Sequence, residues 1–188
     1  MRKKPAVLAA AAAVLAAGAW LALRLVPMPA ALQAPPPAST EFLDCRGEPL
    51  RTLLVDERSY HVPARMEEIS PHVIAATVAA EDARFFRHPG FDPLAIARAA
   101  ANAWRGATPL SGASTITQQL VKEPGPRTAG RKLREILLAL RVEREWTKDR
   151  ILLEYLNRLD YGNLRAGIAA ASRYYFAKPP SDLSAAEA

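Results

Sequence analysis

The chain has 188 residues, with 25 basic and 19 acidic side chains, a formal charge of +6, a hydrophobic fraction of 50% and one cysteine. This length and apolar fraction allow one buried core and exclude a chain that is disordered throughout. The single cysteine excludes an internal disulfide framework, and the chain has no motif of the common zinc sites or nucleotide-phosphate loops.

Residues 1–26 are predicted to form a cytoplasmic start followed by a transmembrane anchor. An uncharged run rich in Ala, Leu and Val extends from Pro5 to Leu23. As a helix it would be about 28 Å long, close to the thickness of the bilayer core. The basic residues Arg2, Lys3 and Lys4 precede it and orient its start toward the cytoplasm. A cleavable signal peptide is the alternative, but the length of the apolar run favours a retained anchor.

Residues 27–40 are rich in proline and are predicted to form a stiff, extended linker. The rest, 41–188, is predicted to be one mainly α-helical domain with a small β element between Glu41 and Pro63. Ser184 and Glu187 have the spacing of a capping box. That pattern predicts a helix start close to the last residue, so we expect the domain to be truncated at its C-terminal end.

Apolar spacing and helix-start signals predict six helices in this domain. Ser70-Pro71 and Asp92-Pro93 each place a capping side chain before a proline at the first helical position. The predicted helices cover Pro71 to about Asp82, Pro93 to Gly106, Thr115–Lys122, Gly130–Trp146, Lys148–Asn157 and Arg165–Phe176.

Glu81 and Asp82 end the first predicted helix and are followed by two aromatic residues, Phe85 and Phe86. A carboxylate beside aromatic surface is partly desolvated, a setting that suits a general base. The alternative is a solvated ion pair with the neighbouring arginines. His88 is expected to be structural, since no second histidine has metal-ligand spacing.

The third predicted helix begins after a run of small residues that ends at Ser114. Exposed backbone amides there, with the hydroxyls of Ser114 and Thr115, would suit a phosphate or sugar oxygen. An ordinary N-cap is the alternative. Gln118 and Gln119 follow, and two adjacent amides on a short helix cannot both face an apolar core.

The stretch from Lys122 to Arg150 carries nine basic and five acidic residues. This surplus predicts that it binds an anion. Arg131 and Glu135 are four residues apart on a predicted helix and could simply pair with each other. The alternative is a cationic cradle that contains one carboxylate and suits a leaving pyrophosphate.

Taken in order, five segments resemble the peptidoglycan glycosyltransferase family, the membrane-bound polymerases of bacterial cell walls. They are Glu81–Gly90, Gly112–Gln119, Arg131–Glu135, Lys148–Asn157 and Gly167–Phe176. Residues 46–51 and 90–99 are most similar to the 1C type of class A penicillin-binding protein. In that type a transpeptidase-like domain follows, and nothing in the chain corresponds to it. An N-terminal fragment of such a protein is therefore expected.

The resemblance implies a lysozyme-like helical fold and the polymerisation of lipid II with release of undecaprenyl pyrophosphate. Glu81 matches the residue that serves as base. Glu135 matches the second essential carboxylate, which would orient the cationic cluster or hold a divalent cation, Mg²⁺ or Mn²⁺. The positions that match substrate-binding residues are Asp82, Ser114, Thr115, Gln118, Gln119, Lys122, Arg127, Arg131 and Lys132.

The resemblance also implies where the protein works and what it contacts. The expected location is the bacterial inner membrane, with a single span and the catalytic domain on the periplasmic face. Expected partners are lipid II, the growing glycan strand, the membrane and other cell-wall synthesis proteins, but not nucleic acid. A lytic muramidase-type hydrolase and a non-catalytic, membrane-tethered binding fragment are the alternative functions. The basic run and the paired glutamines favour polymerisation, because a hydrolase has no pyrophosphate to hold.

Overall fold

The structure is a computed structural model that describes residues 25–55, 59–104, 114–126 and 128–188, together with Gly18 and Leu21. The predicted anchor therefore lies almost entirely outside the described residues. Within the residues that are described, no helix combines the length and the hydropathy needed to cross a bilayer.

The described part is mainly helical, as predicted, and carries a small amount of β structure near its N-terminal end. The α-helices are α1 (Ala30–Gln33), α2 (Pro71–Glu81), α3 (Pro93–Trp104), α4 (Ile116–Leu120), α5 (Ala129–Glu145), α6 (Lys148–Arg158) and α7 (Ile168–Phe176). The strands are β1 (Glu41–Leu43), β2 (Pro49–Thr52), β3 (Tyr60–His61) and β4 (Arg165–Ala166). Three short 3-10 turns cover Met66–Glu68, Phe85–Arg87 and Pro180–Asp182.

Side-chain caps define where most of the helices begin. The hydroxyl of Ser70 accepts a hydrogen bond from the backbone N–H of His72 and so caps α2. Thr115, Thr128 and Thr147 cap α4, α5 and α6 in the same way. An uncapped helix start leaves backbone N–H groups without partners, so these hydroxyls fix the helix boundaries within one or two residues of the predicted ones.

The sixth predicted helix begins later than expected. Arg165 and Ala166 form β4, which pairs in parallel with Tyr60 and His61 of β3. Gly167 follows with φ +86°, a left-handed conformation that favours glycine, and a Cβ there would lie 3.0 Å from the carbonyl oxygen of Asn157. Helix α7 therefore starts only at Ile168, and the prediction that the helix includes residues 165–167 is wrong.

The predicted β element is confirmed between residues 41 and 52. Strands β1 and β2 are antiparallel, with Glu41 opposite Thr52. The carboxylate of Asp44 accepts hydrogen bonds from the backbone N–H groups of Arg46 and Glu48 and closes the turn between the strands. This hairpin lies beside the helical part, where Glu41 pairs with Arg173 of α7 at 2.8 Å.

The core lies between α2, α4, α5, α6 and α7. Helix α4 packs against both α5 and α6, so its side chains are enclosed although it is only five residues long. Fully buried apolar side chains of this core include Phe85, Ile116, Leu138, Val142, Ile151 and Leu156. A short, tightly enclosed helix at the centre positions the polar residues that it carries.

The predicted linker is in contact with the domain in the described structure. Leu32 of α1 is buried in the core. Met28 of the linker packs against it, as does Val26, the last residue of the predicted anchor. The guanidinium of Arg141 donates to the carbonyl of Val26, and that of Arg158 donates to the carbonyl of Ala34 at 2.8 Å. Apolar residues among the prolines thus give this segment a surface to bury, which a freely extended spacer would lack.

Candidate active site

A cleft of about 610 Å³ lies between the end of α2, one face of α3 and the residues that precede α4. Four of the predicted site residues line it: Glu81, Asp82, Ser114 and Thr115. Arg84 and Arg98 line it as well, and the sequence analysis did not single out either of them. Arg84 is paired with Asp92, which also lines the cleft, whereas no ion pair joins Arg98 to another described residue.

Glu81 is the last residue of α2, and its side chain is exposed at the cleft. Its Oε2 accepts a hydrogen bond from Gln119 Nε2 at 2.8 Å. Among the described residues, no hydrogen bond reaches its other oxygen, Oε1. The carboxylate is thus held in place through one oxygen while the other stays open to the cleft, as a general base requires.

Asp82 turns inward, although it is adjacent to Glu81 in sequence. Its side chain is buried, and both of its oxygens lie 3.0 Å from Nε2 of His88. Nδ1 of His88 accepts from the backbone N–H of Gly90, so Nε2 carries the proton and donates to Asp82. Asp82 also accepts from the backbone N–H of Ile116 at 3.1 Å. It joins the end of α2 to the start of α4, and its contact with substrate stays a prediction.

Thr115 and Gln118 form a capping box at the start of α4. The Thr115 hydroxyl accepts from the Gln118 backbone N–H at 3.1 Å, and Oε1 of Gln118 accepts from the Thr115 backbone N–H at 3.2 Å. The same hydroxyl donates to the carbonyl of Gly90 at 2.7 Å. The ordinary N-cap considered as the alternative therefore accounts for the polar groups of Thr115.

Lys132 is the predicted cation that reaches the edge of the cleft. Its Nζ donates to Ser114 Oγ at 3.0 Å, to Glu135 Oε2 at 3.1 Å and to Gln118 Oε1 at 3.5 Å. The Lys132 side chain is 45% exposed, so its charge stays accessible. This contact with Ser114 brings a positive charge to the wall on which Glu81 also lies.

The other predicted cations are placed differently. The guanidinium of Arg131 donates to the backbone carbonyls of Pro124 and Pro126, and so holds the loop before α5. Lys122 is exposed, and no ion pair joins it to another described residue. Arg127 lies outside the described residues. Of the expected cationic cluster, the described structure thus brings only Lys132 to the cleft.

Glu135 is mostly buried, with 19% of its side chain exposed, and it pairs with Lys132. The alternative pair with Arg131 does not form among the described contacts, because that guanidinium is turned to the loop. Over the described part of the chain, no group of three or more metal-ligating side chains lies close enough together to hold a metal ion. The ion pair with Lys132 fits the role of orienting a cation, and a role of Glu135 in holding a divalent cation stays a prediction.

A buried polar network that the sequence analysis missed supports the floor of the site. Glu143, with 7% of its side chain exposed, accepts from Thr117 Oγ1 at 2.5 Å and from Lys148 Nζ at 2.7 Å. Lys148 also donates to the carbonyl of His88 at 2.8 Å and lies 4.3 Å from the ring centre of Phe85. Lys148 of the fourth resembling segment thus contacts the first segment directly, and Glu143 joins it to Thr117 of the second segment. No pattern in the sequence predicted this role of Glu143.

Comparison with known proteins shows which family the sequence matches. Residues 46–188 match the family model described as Transglycosylase. The biosynthetic peptidoglycan transglycosylase of Azoarcus sp. (strain BH72) is 41% identical over 155 residues, which cover 81% of this chain and 67% of that protein. Penicillin-binding protein 1C of Escherichia coli (strain K12) is 37% identical over 183 residues, which cover 96% of this chain and 23% of that protein.

A third relative, penicillin-binding protein 1A of Aquifex aeolicus (strain VF5), is 40% identical over 156 residues, which cover 81% of this chain and 21% of that protein. The chain thus spans about a fifth of the length of the penicillin-binding proteins that it matches and about two thirds of the biosynthetic transglycosylase. The family model covers well over half of the chain, including every described residue of the candidate site. The chain therefore belongs to the transglycosylase family.

Proposed function

We propose that this chain is a peptidoglycan glycosyltransferase that polymerises lipid II into β-1,4 glycan strands. Membership of the transglycosylase family and the names of the relatives support this activity. The observation that carries the proposal is geometric. Gln119 of α4 donates a hydrogen bond to the exposed carboxylate of Glu81. The preceding residue, Gln118, accepts a hydrogen bond from the ammonium of Lys132, so one short helix contacts both groups.

In the proposed reaction, the 4-hydroxyl of one disaccharide attacks the anomeric carbon of another. Glu81 takes the hydroxyl proton as the new oxygen–carbon bond forms. The bond from the anomeric carbon to the pyrophosphate oxygen breaks, and undecaprenyl pyrophosphate leaves with the electron pair. Lys132 stabilises the negative charge that develops on the leaving group. A single direct displacement inverts the configuration at the anomeric carbon.

Glu135 is proposed to orient Lys132 through their ion pair, so that the ammonium faces the cleft. Lys122, Arg127 and Arg131 are proposed to complete the pyrophosphate-binding cluster, and Arg131 would then have to release the loop that it now holds. A divalent cation at Glu135, Mg²⁺ or Mn²⁺, is the alternative role for this carboxylate. Because the described residues around it do not form a set of metal ligands, we assign no step to a metal.

The proposed location is the bacterial inner membrane, with one span in residues 1–26 and a lysozyme-like catalytic domain on the periplasmic face. This location suits a lipid-linked substrate, whose head group stays at the membrane surface. The proposed partners are the membrane, the growing strand and other cell-wall synthesis proteins. The extent of the match to penicillin-binding protein 1C of Escherichia coli supports the 1C type.

The test is to incubate the detergent-solubilised chain with labelled lipid II and to compare it with the Glu81→Gln variant. The parent is expected to make glycan polymer, and the variant to bind lipid II but to polymerise it at least about 100-fold more slowly, as loss of a general base predicts. Glu67→Gln, the same change at an exposed carboxylate of the 3-10 turn Met66–Glu68, should leave the rate unchanged.

Three results would contradict the proposal. Equal polymerisation by the parent and Glu81→Gln would remove Glu81 as the base. Release of fragments from finished peptidoglycan, without polymer from lipid II, would indicate a lytic hydrolase. Binding of lipid II by the parent without any turnover would indicate a binding fragment.

A further inference from the structure

Tyr155 is a residue of α6 that none of the roles described above uses. Only 4% of its surface is exposed, and it belongs to the hydrophobic core. Its hydroxyl nevertheless donates a hydrogen bond to Oε1 of Gln119 at 3.2 Å. Gln119 in turn donates from Nε2 to Glu81 Oε2 at 2.8 Å. A chain of two hydrogen bonds thus runs from the core to the candidate base.

The orientation of the Gln119 amide decides whether it attracts or repels the carboxylate of Glu81. One end of an amide donates hydrogen bonds and the other end only accepts them, whereas an ionised carboxylate can only accept. With the amide reversed, its carbonyl oxygen would face the carboxylate of Glu81, and the two acceptors would repel each other. This repulsion turns the N–H end of the amide toward Glu81, and a donor that is fixed at the carbonyl end of Gln119 then holds the amide in the productive orientation.

The hydroxyl of Tyr155 is suited to be that donor. Burial, with a smaller contribution from the Glu81 carboxylate, raises the pKa of Tyr155 to about 12. The hydroxyl therefore keeps its proton at neutral pH. The rigid, enclosed ring leaves the hydroxyl little freedom to turn away from Gln119.

We propose that Tyr155 is a positioning residue of the glycosyltransferase site, which orients the Gln119 amide so that its N–H group holds Glu81 in place. This inference rests on the proposed function, since it assigns Glu81 as the base. Tyr155 does not touch the substrate. It acts on the rate of the chemical step, because the carboxylate must be correctly placed when the proton moves.

The test is a double-mutant cycle on the full 188-residue chain. Tyr155→Phe removes the hydroxyl and keeps the ring, whereas Gln119→Met removes the amide and keeps the length of the side chain. Loss of one positioning hydrogen bond predicts that kcat for lipid II falls about 5- to 10-fold in Tyr155→Phe, with KM within twofold of the parent. The Gln119→Met variant is expected to show a fall of at least the same size.

The double variant distinguishes positioning from a general loss of structure. If Tyr155 acts through Gln119, adding Tyr155→Phe to Gln119→Met causes no further loss. Tyr60→Phe is the matched control, because it also removes the hydroxyl of a half-buried tyrosine, here in β3, and no described contact joins that hydroxyl to Gln119. Its kcat should stay within twofold of the parent.

The outcomes for this inference and for the proposed function are separate. A parent chain that makes no polymer overturns the proposed function and this inference with it. A parent that polymerises while Tyr155→Phe keeps the parental kcat, or while the losses of the two variants multiply, overturns the role of Tyr155 alone. If Tyr155→Phe does not fold, a parental kcat in Gln119→Met overturns it equally.

Discussion

Gln118 and Gln119 are consecutive residues, and their side chains contact groups of opposite charge. Gln118 Oε1 accepts from Lys132 Nζ at 3.5 Å, whereas Gln119 Nε2 donates to Glu81 Oε2 at 2.8 Å. Successive residues of an α-helix point about 100° apart, so α4 directs the two amides to different neighbours. Helix α4 therefore contacts both the candidate base and the candidate cation.

Replacing Lys132 tests the cationic side of this arrangement. Lys132→Ala removes the positive charge beside Ser114, and we expect polymerisation of lipid II to fall about 100-fold, as loss of a preorganised donor for developing charge predicts. Lys178→Ala, at an exposed ion pair near the C-terminal end, is the control and should leave the rate unchanged. An unchanged rate in Lys132→Ala would show that this cation does not assist the leaving group.

Gly90 tests the packing beneath the site. It has φ +102°, and a Cβ there would lie 2.8 Å from the carbonyl oxygen of Ala139. Gly90→Ala should therefore lower the free energy of unfolding by about 2 kcal/mol or more, measured by urea denaturation. Gly130→Ala is the matched control in the first turn of α5, where a Cβ meets nothing within 4 Å, and it should be neutral or slightly stabilising. Equal effects of the two substitutions would contradict the close approach at Gly90.

The buried network beneath the cleft predicts that breaking a buried ion pair lowers the free energy of unfolding more than breaking an exposed one. Lys148→Met keeps the aliphatic stem but leaves the buried Glu143 carboxylate without its cation, and it should cost about 3 kcal/mol in free energy of unfolding. Arg134→Met breaks the more exposed pair with Glu123 and should cost about 0.5 kcal/mol. Comparable losses from the two variants in urea denaturation would argue against the network as a support of the fold.

His61 of β3 predicts a dependence of stability on pH. Burial, together with the charge of Arg158, lowers the pKa of His61 below its usual 6.5, against an opposing effect of Asp160. The unfolded chain therefore takes up a proton at His61 near pH 6.5, whereas the folded chain does so only at lower pH. The stability contributed by the neutral ring is complete above about pH 6.5 and is lost as the pH falls through the lower folded value.

The measurement is the free energy of unfolding in urea at about pH 7.5 and pH 5.5. The parent should lose stability on acidification, and His61→Gln, which cannot titrate, should lose less. The difference between the two chains isolates His61 from the other histidines, His72 and His88. An equal loss in both chains would show that burial of His61 does not influence stability.

Local signals in the sequence were sufficient to place most of the helices. Ser70 before Pro71 and Thr147 before Lys148 each cap a helix within their own neighbourhood, so their effect can be read from a few consecutive residues. The pairing of Tyr60 with Arg165 could not be read in this way, since it joins strands that are about 100 residues apart in the chain. For that reason the local pattern wrongly predicts a helix over residues 165–167.

The sequence predicts candidate residues for the site, but it does not predict the contacts that their side chains make. The order of the five segments identified Glu81, Gln119 and Lys132, and the structure brings these residues around one short helix. The inward turn of Asp82 toward His88, and the use of the Arg131 guanidinium to hold a loop, depend on packing that a linear pattern does not contain. The sequence therefore predicts candidate residues for the site but not which of their polar groups are already occupied.

The attachment of the segment before β1 has a mechanical consequence. Arg141 and Arg158 grip the carbonyls of Val26 and Ala34, and Leu32 is buried in the core between these two points. The segment is thus held against the helices at three positions. If the membrane span proposed for residues 1–26 precedes Val26, the chain is attached to the domain from Val26 onward, and residues 27–40 do not act as a free tether.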